Sequence, residues 1–484
     1  MNEAATQAVP HTGISTSRRF IKNWAYLFTS SVFCQALGMI SIIRVARVLA
    51  PAGYGYFNIV QTTAGIGLII AGLGMRNVII RDCARNPENT KALYTASLFV
   101  RFLFSTVVGI GIILYALLSP HVLPISLSRF AILLLIGQMM WDTTESISFG
   151  LQQMQFSSRT NTIGSAIWLL WVWCVPASVL TVAAVSFSFA LLQISKAVLL
   201  GWQVKRVLPP AYPLARATLK KNALSLITAS LPFYWMMLLE TVSHGLPVLI
   251  LAQRSNPEQV GLFNVGFRLL NPLRFLFLTS TSVLYPYLSN AKAKNPAQFL
   301  RVIEIALKAT LVIGSACAFL VFLLRVEVVS LLFGEKYSGS SDAMAYQGWF
   351  IVLLAIQYLF GTSFLAGDRQ RLWAVLTTIY TIIILPIVWF GAGHGATGLA
   401  AGMAVGVAIT LIFIWPFFKK SLPSGFHSRN VIHSSIVLGI AILCSWLIPG
   451  NISLVIRIPI ACTILFILAI FLLKEWKKGS FSLP

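Results

Sequence analysis

Long apolar runs separated by short polar breaks fill the chain from near its start to near its end. A helix that crosses a bilayer needs about 20 mostly apolar residues. By that measure spans fall near 22–43, 56–75, 92–118, 129–150, 162–178, 182–203, 224–252, 260–288, 306–325, 344–366, 372–390, 395–418, 431–449 and 453–473. This makes about fourteen in all. The runs are continuous, which excludes the short two-sided strands of an outer-membrane barrel. In hydrocarbon every backbone N–H and C=O needs an internal partner, so the expected fold class is all-α, a polytopic membrane protein.

Composition agrees: 57% of the 484 residues are hydrophobic and 10% are charged, against about a quarter charged in a soluble domain. Mean hydropathy is +0.82. The net charge of +23, from 36 Lys+Arg against 13 Asp+Glu, would point to nucleic acid in a soluble protein. Here 25 of the 36 basic residues gather in alternate inter-span segments, among them Arg76, Arg81, Arg85, Lys91, Lys205, Arg206, Lys292, Arg369, Lys419 and Lys478. Basic loops stay on the cytoplasmic side, so both termini are expected there, in a bacterial inner membrane. The excess charge then meets anionic lipid headgroups, and no nucleic-acid partner is expected.

The largest segment assigned outside, around 326–343, is shorter than a span. Function therefore belongs to the membrane part, which favours a transporter over an enzyme with a separate catalytic domain. Cys34, Cys83, Cys174, Cys317, Cys444 and Cys462 are scattered without the paired spacing that holds zinc, and neither metal, cofactor nor catalytic residue is expected. Residues 1–17 are polar and lack the apolar core of a cleavable signal, so the first span is expected to serve as an uncleaved anchor.

A weak internal repeat organises the spans. Gly55-Tyr-Phe57-Asn58 opens the second and Gly261-Leu-Phe263-Asn264 opens the eighth, an offset of 206 residues. The intervening number of spans is even, so the halves run parallel and a central cavity is expected between them. The resulting division is a tail at 1–21, a six-helix lobe at 22–204, a basic linker at 205–222, a second six-helix lobe at 223–418, and two additional helices with a tail at 419–484.

Ionisable residues inside spans cost at least about 2.5–3.5 kcal/mol and are functional candidates. In the eighth span Asn264, Arg268 and Asn271 recur at i, i+4 and i+7, on one helix face. Their counterparts in the second span are Asn58, Thr62 and Gly65. These stripes either line a cavity or bond helix to helix. Arg274, Arg44 and Arg47 complete the cationic set, although Arg44 and Arg47 can equally snorkel to headgroups. A guanidinium suits phosphate because its fork makes two parallel hydrogen bonds to an oxyanion.

The carboxylates in spans are Asp142, Glu145 and Glu240. They could couple transport to an ion, Glu240 foremost because it lies beside the basic eighth span, or each could pair with an intramembrane arginine. Gly393-His-Gly395-Ala-Thr-Gly398 fits a dinucleotide-binding pattern but follows a membrane span, so it reads as a tight hairpin.

Arg47-Val-Leu-Ala-Pro51-Ala-Gly53-Tyr54-Gly55-Tyr-Phe57 resembles the Arg-x-Leu-Gly-Pro-x-x-Tyr-Gly-x-Phe pattern of the polysaccharide-biosynthesis, or O-antigen flippase, family. That family belongs to the multidrug/oligosaccharidyl-lipid/polysaccharide exporter superfamily. Arg81-Asp-Cys-Ala84-Arg85, Leu332-Phe333-Gly334-Glu335-Lys336-Tyr337, Ala366-Gly367-Asp-Arg369 and the Gly/Ala-rich stretch 391–402 resemble its loop motifs. Two departures stand out: Ala50 replaces the usual glycine, and the turn between the fifth and sixth spans lacks a clear Gly/Ala motif.

The resemblance implies translocation of a polyprenyl-diphosphate-linked oligosaccharide by alternating access, for assembly of O-antigen, capsule or exopolysaccharide. It also implies a polysaccharide polymerase and a chain-length regulator as partners. A drug or organic-cation antiporter of the same superfamily is the alternative, but the first span lacks a carboxylate. A membrane glycosyltransferase or polymerase would want larger outer loops, and a major-facilitator transporter would carry a different loop after the second span.

Overall fold

The computed structural model describes residues 13–208 and 216–423 and the isolated positions 439 and 459. In chain order the helices are α1 Gly13–Gly72, α2 Met75–Arg85, α3 Thr90–Leu118, α4 Ile125–Gly150, α5 Met154–Cys174, α6 Val182–Lys205, α7 Arg216–His244, α8 Leu246–Arg254, α9 Pro257–Lys294, α10 Pro296–Phe333, α11 Ser340–Ala366, α12 Gln370–Ala392 and α13 Gly395–Ser421. No strand occurs among the described residues, and the chain is an all-α membrane protein. The spans expected at 431–449 and 453–473 lie outside the described residues.

Nine described segments are long and apolar enough to cross a membrane. The first of them, Tyr26–Gly72, holds both the first and second expected spans. The loop expected at 44–55 is helical on both sides of one residue, Ala50, at φ 57° and ψ 172°. Pro51 explains the site of the break: its ring disfavours helical backbone in the residue before it, and its missing N–H suits the start of a helix. The seventh expected span, 224–252, is likewise broken at Gly245, between α7 and α8. There Pro247 stands within the first turn of α8.

The described chain divides into two compact units. The first comprises Met1–Ile42, Gly67–Leu114 and Ser126–Met237, and the second Ile43–Ile66, Tyr115–Ile125 and Leu238–Pro484. The hairpin around Ala50 thus packs within the second unit.

In the first unit, α2 lies along the ends of longer helices. Met75, Val78, Ile79 and Cys83 form its buried face and meet Ala96, Val100, Ile147, Leu200, Val204 and Leu226. The other face carries Asn77, Arg81 and Arg85, which are exposed or half-exposed. Gly74, at φ 68°, lets the chain turn into α2 where a Cβ would approach the Tyr234 backbone nitrogen to 2.7 Å.

In the second unit α11 is the central helix: 78% of its most apolar stretch is buried, and it packs against α9, α10 and α13. The stretch 391–402 makes the tight α12–α13 hairpin that the sequence leads one to expect. There the Ala396 N–H, in the first turn of α13, donates to Gln259 Oε1 of α9 at 2.8 Å.

Candidate functional site

Two polar regions form inside the units, and both are built on arginine. In the first unit, Arg76 at the start of α2 reaches Asp142 at 2.5 Å and Glu145 at 2.8 Å. Arg101 of α3 meets the other Asp142 oxygen at 2.8 Å and donates to the Thr143 hydroxyl at 2.8 Å. Glu145 also accepts from Ser157 of α5 at 2.5 Å. The i, i+3 spacing of Asp142 and Glu145 aims both carboxylates at α2 from one face of α4. Lys196 of α6 lies 4.7 Å over the Trp141 ring and donates to Gln193. Asp142 and Glu145, singled out from sequence as ion-coupling candidates, are therefore held by arginines, and Arg101 is 1% exposed.

The second unit is organised by the hairpin around Ala50. Residues 51–66 of α1 cross α9 where the two repeat motifs meet. A Cβ on Gly55 would lie 1.6 Å from the Pro257 carbonyl oxygen, and a Cβ on Gly261 would lie 2.0 Å from the Pro51 carbonyl oxygen. Pro51 and Pro257, like Gly55 and Gly261, are equivalent at the 206-residue offset. The contact is thus reciprocal, and only a hydrogen atom fits on either side. Equivalence extends one turn further: the Asn58 amide donates to the Tyr54 carbonyl at 2.7 Å, and the Asn264 amide to the Val260 carbonyl at 2.9 Å.

Beyond the asparagines the halves of the repeat diverge. Arg268 of α9 donates to Gln61 Oε1 at 2.7 Å and stands close enough to Tyr54 to act on it electrostatically. Among the described residues, no carboxylate lies within ion-pair distance of Arg268. It is half-buried, as are Asn264 and Thr62, whereas Asn271 is exposed and Asn58 is buried.

Arg274 projects elsewhere, since residues six apart on a helix lie about 120° apart around its axis. Its neighbours are His244 of α7 and Tyr358 of α11. Glu240, exposed on α7, is also near Tyr358. Arg47, exposed, donates to the carbonyls of Leu331 at 2.5 Å and Leu332 at 2.8 Å, at the C-terminal end of α10. Arg44 is half-buried one turn earlier. The structure therefore brings Asn58, Thr62, Asn264 and Arg268 into one neighbourhood and leaves Arg47 and Arg274 in others.

Gln61, Tyr54 and Tyr337 were not among the candidate site residues read from the sequence. Gln61 is outside the repeat motif, and a lone neutral residue in an apolar run gives no periodic signal. Tyr337 of the turn Glu335–Tyr337 donates from its hydroxyl to the Ala46 carbonyl at 2.7 Å, and its ring packs edge-on to Tyr54 at 6.4 Å. Both tyrosines lie within the family-like motifs, which therefore touch each other in the fold.

Comparison with known proteins agrees with this architecture. The chain is 24% identical over 393 residues to the lipid III flippase of Escherichia coli strain K12, covering 74% of this chain and 89% of that protein. The same figures hold for the lipid III flippase of Shigella flexneri. Among solved structures, the lipid II flippase MurJ in an inward closed conformation superposes with a TM-score of 0.70 at 13% identity, over 93% of this chain and 98% of that one. An inward-facing multidrug resistance MATE transporter gives 0.60 at 17% identity, over 80% and 94%. These likenesses establish a transporter fold shared with MurJ and MATE proteins. Residues 20–292, more than half of the chain, match the family described as polysaccharide biosynthesis protein, and the chain belongs to that family, within the multidrug/oligosaccharidyl-lipid/polysaccharide exporter superfamily.

Proposed function

We propose that the protein is a flippase that moves a polyprenyl-diphosphate-linked oligosaccharide across the bacterial inner membrane, with both termini cytoplasmic. Its two six-helix lobes alternate access to a central cavity, and its cargo feeds assembly of O-antigen, capsule or exopolysaccharide. The observation that carries the reading is Arg268: a guanidinium in the bundle, held by the neutral Gln61 rather than by a carboxylate. A diphosphate exposed to hydrocarbon would cost tens of kcal/mol by a Born estimate, about enough to forbid crossing without fixed counter-charge. Arg268 supplies that charge, and its neighbours Gln61 and Tyr54 are neutral. Asn264, Asn271, Asn58 and Thr62 extend the polar face around it, and Arg44, Arg47 and Arg274 add positive charge in the same unit. The inside-negative potential favours outward movement of an anion by about 2.3 kcal/mol per charge per 100 mV, so the protein chiefly lowers a barrier.

The names of the two curated relatives, both lipid III flippases, support this cargo class. A drug or organic-cation antiporter would want cavity carboxylates, and Asp142 and Glu145 are engaged by Arg76 and Arg101. If an ion is coupled, Glu240 is the residue to carry it, being exposed and without a basic partner at ion-pair distance among the described residues. A polymerase and a chain-length regulator would receive the product, and the basic cytoplasmic loops would contact anionic lipids.

The test is transport of a fluorescent lipid-linked oligosaccharide in proteoliposomes. Arg268→Ala should lose most transport at normal membrane abundance, and Arg268→Lys should keep part of it, because the charge survives without the fork. Full transport by Arg268→Ala would remove Arg268 from the site. Glu240→Gln, measured with and without an imposed proton or sodium gradient, should abolish any gradient dependence and leave passive transport intact.

A further inference from the structure

Four buried polar atoms find no hydrogen-bond partner in one neighbourhood of the second unit: His244 Nδ1, Arg274 Nε, Tyr358 Oη and Tyr380 Oη. They come from four helices, α7, α9, α11 and α12. The His244 ring stands 6.1 Å from the Tyr380 ring and 6.2 Å from that of Phe350. Arg274 acts electrostatically on both His244 and Tyr358, and Tyr358 acts on Tyr380. Beside them, the hydroxyls of Ser243 and Thr381 bond at 2.9 Å and pin α7 to α12. Folded proteins pair nearly all their buried polar atoms, so four orphans together mark a place built around something else.

We propose that these groups form an anion site, separate from Arg268, for a small inorganic ion of the chloride class. Donor chemistry selects the occupant. An arginine Nε–H only donates, and the two hydroxyls and the imidazole can donate alongside it. No carboxylate stands within ion-pair distance of Arg274 among the described residues. Water would satisfy the hydroxyls equally well but would leave the arginine charge unmatched. An unmatched cation inside a membrane bundle is far costlier than an unmatched hydroxyl. A metal cation would add to that charge rather than cancel it. Size is set by the aromatic walls: Phe350 and Tyr380 are each 1% exposed, which leaves no approach for a sugar-bearing diphosphate at that end. Glu240, one turn before His244 on α7, lies exposed near Tyr358 and is a competing negative charge at the rim. Arg274 lies about 9 Å along α9 from Arg268, so an anion held there weakens the positive field at Arg268. On the flippase reading above, occupancy then eases release of an anionic cargo, whereas the site itself does not depend on that reading.

The full-length protein, purified in detergent and exchanged into sodium gluconate, would be titrated with radioactive chloride at constant ionic strength, with bromide as competitor. One saturable site is expected, displaced by bromide, together with a rise in unfolding temperature of several degrees at saturation, since a ligand that binds only the folded state stabilises it. Arg274→Gln should abolish both effects. Tyr380→Phe, which removes one hydroxyl and keeps the ring, should weaken binding several-fold. Glu240→Gln should tighten it several-fold by removing the competing charge, and Arg268→Ala should leave it unchanged. Absence of saturable binding, or binding that neither Arg274→Gln nor Tyr380→Phe alters, would overturn the site. Loss of binding with Arg268→Ala, or displacement of chloride more readily by inorganic pyrophosphate than by bromide, would also overturn it, by making the pocket part of the cargo path. Should Arg274→Gln lower abundance, Tyr380→Phe decides alone. Chloride binding in a protein that moves no lipid-linked sugar in proteoliposomes would keep the site and sink the flippase, and transport by a protein that binds no chloride would do the reverse.

Discussion

Arg101 of the first unit and Arg268 of the second both carry a guanidinium into a helical bundle, and they are treated in opposite ways. Arg101 is closed off by Asp142 and Thr143, and Asp142 in turn is shared with Arg76. Its charge is matched at the site by a carboxylate, although its buried Nε is left without a hydrogen-bond partner among the described residues. Arg268 has only neutral neighbours, Gln61 and Tyr54, and is half-buried, so its charge is matched by no carboxylate among the described residues. On the proposed reading the difference separates two roles that composition cannot tell apart: an arginine that holds helices together arrives with its carboxylates, and one proposed to meet an anionic cargo keeps its charge unmatched. The costs are stored differently too, as paired buried charge in the first unit and as backbone strain at Ala50 in the second.

The comparison is broken most directly at Asp142. Removing one member of a buried ion network leaves the other charges uncompensated, which typically costs about 3–5 kcal/mol. Asp142→Asn should therefore sharply lower membrane abundance and the unfolding temperature of the solubilised protein. Replacing the pair together, Arg101→Met with Asp142→Leu, should recover most of that loss, since apolar side chains of similar size substitute well for buried ion pairs and Arg76 keeps Glu145. Recovery in stability with normal export would make the network structural. Recovery in stability without export would give Asp142 a transport role after all.

Strain in the second unit is tested by Ala50→Gly. Backbone in that region costs a non-glycine residue about 1–3 kcal/mol, so the substitution should stabilise the solubilised protein by that order and raise its unfolding temperature. A neutral or destabilising result would mean that the Ala50 methyl makes packing contacts worth more than the strain.

Arg268→Ala should have a smaller effect on stability, under about 1.5 kcal/mol for one hydrogen bond at a half-exposed site, while transport falls. Gln61→Ala should leave stability nearly unchanged and weaken transport less than loss of the guanidinium does. If Arg268→Ala destabilised the protein as strongly as Asp142→Asn, the contrast between the two arginines would collapse.

The sequence made some of this legible and concealed the rest for physical reasons. Helices were readable because each bilayer crossing demands a long apolar run, and the polar stripe Asn264, Arg268 and Asn271 was readable because it recurs at helical spacing. The four-residue repeat proved to mark a physical contact: Gly55 and Gly261 face each other, a pairing that only steric need for glycine at both positions explains. Boundaries were less legible. A turn built from one residue, Ala50, leaves no polar loop to announce it, so the two expected spans follow each other with a break of a single residue between them. The pairing of Asp142 with Arg76 and Arg101 depends on which helices become neighbours across many tens of residues, and no local pattern encodes that choice. Arg47 was weighed as a cargo contact or a snorkelling side chain, and its actual partners are carbonyls on a distant helix end. The departure of Ala50 from the family's glycine was visible from the start, and its meaning became clear only with its positive φ.

The smallest effect expected is chemical rather than energetic, and it contrasts the sealed first unit with the open polar face of the second. Cys83 lies on the buried side of α2, with no exposed surface, and burial pushes its thiol up to about 11. The shift is upward, so the reactive thiolate is suppressed until pH approaches that value. At pH 7.5 only about one thiol in 3,000 would be ionised, on top of the steric barrier. With Cys83 as the lone cysteine, a hydrophilic maleimide should label it at least about 100-fold more slowly than the cysteine introduced by Asn271→Cys in a cysteine-free background. Raising the pH from 7 to 9 should speed the second reaction and leave the first slow, because the Cys83 thiol stays protonated across that window. Labelling of Cys83 at a comparable rate would mean that α2 lifts from the bundle on the labelling timescale, and the first unit would then be no more closed than the second.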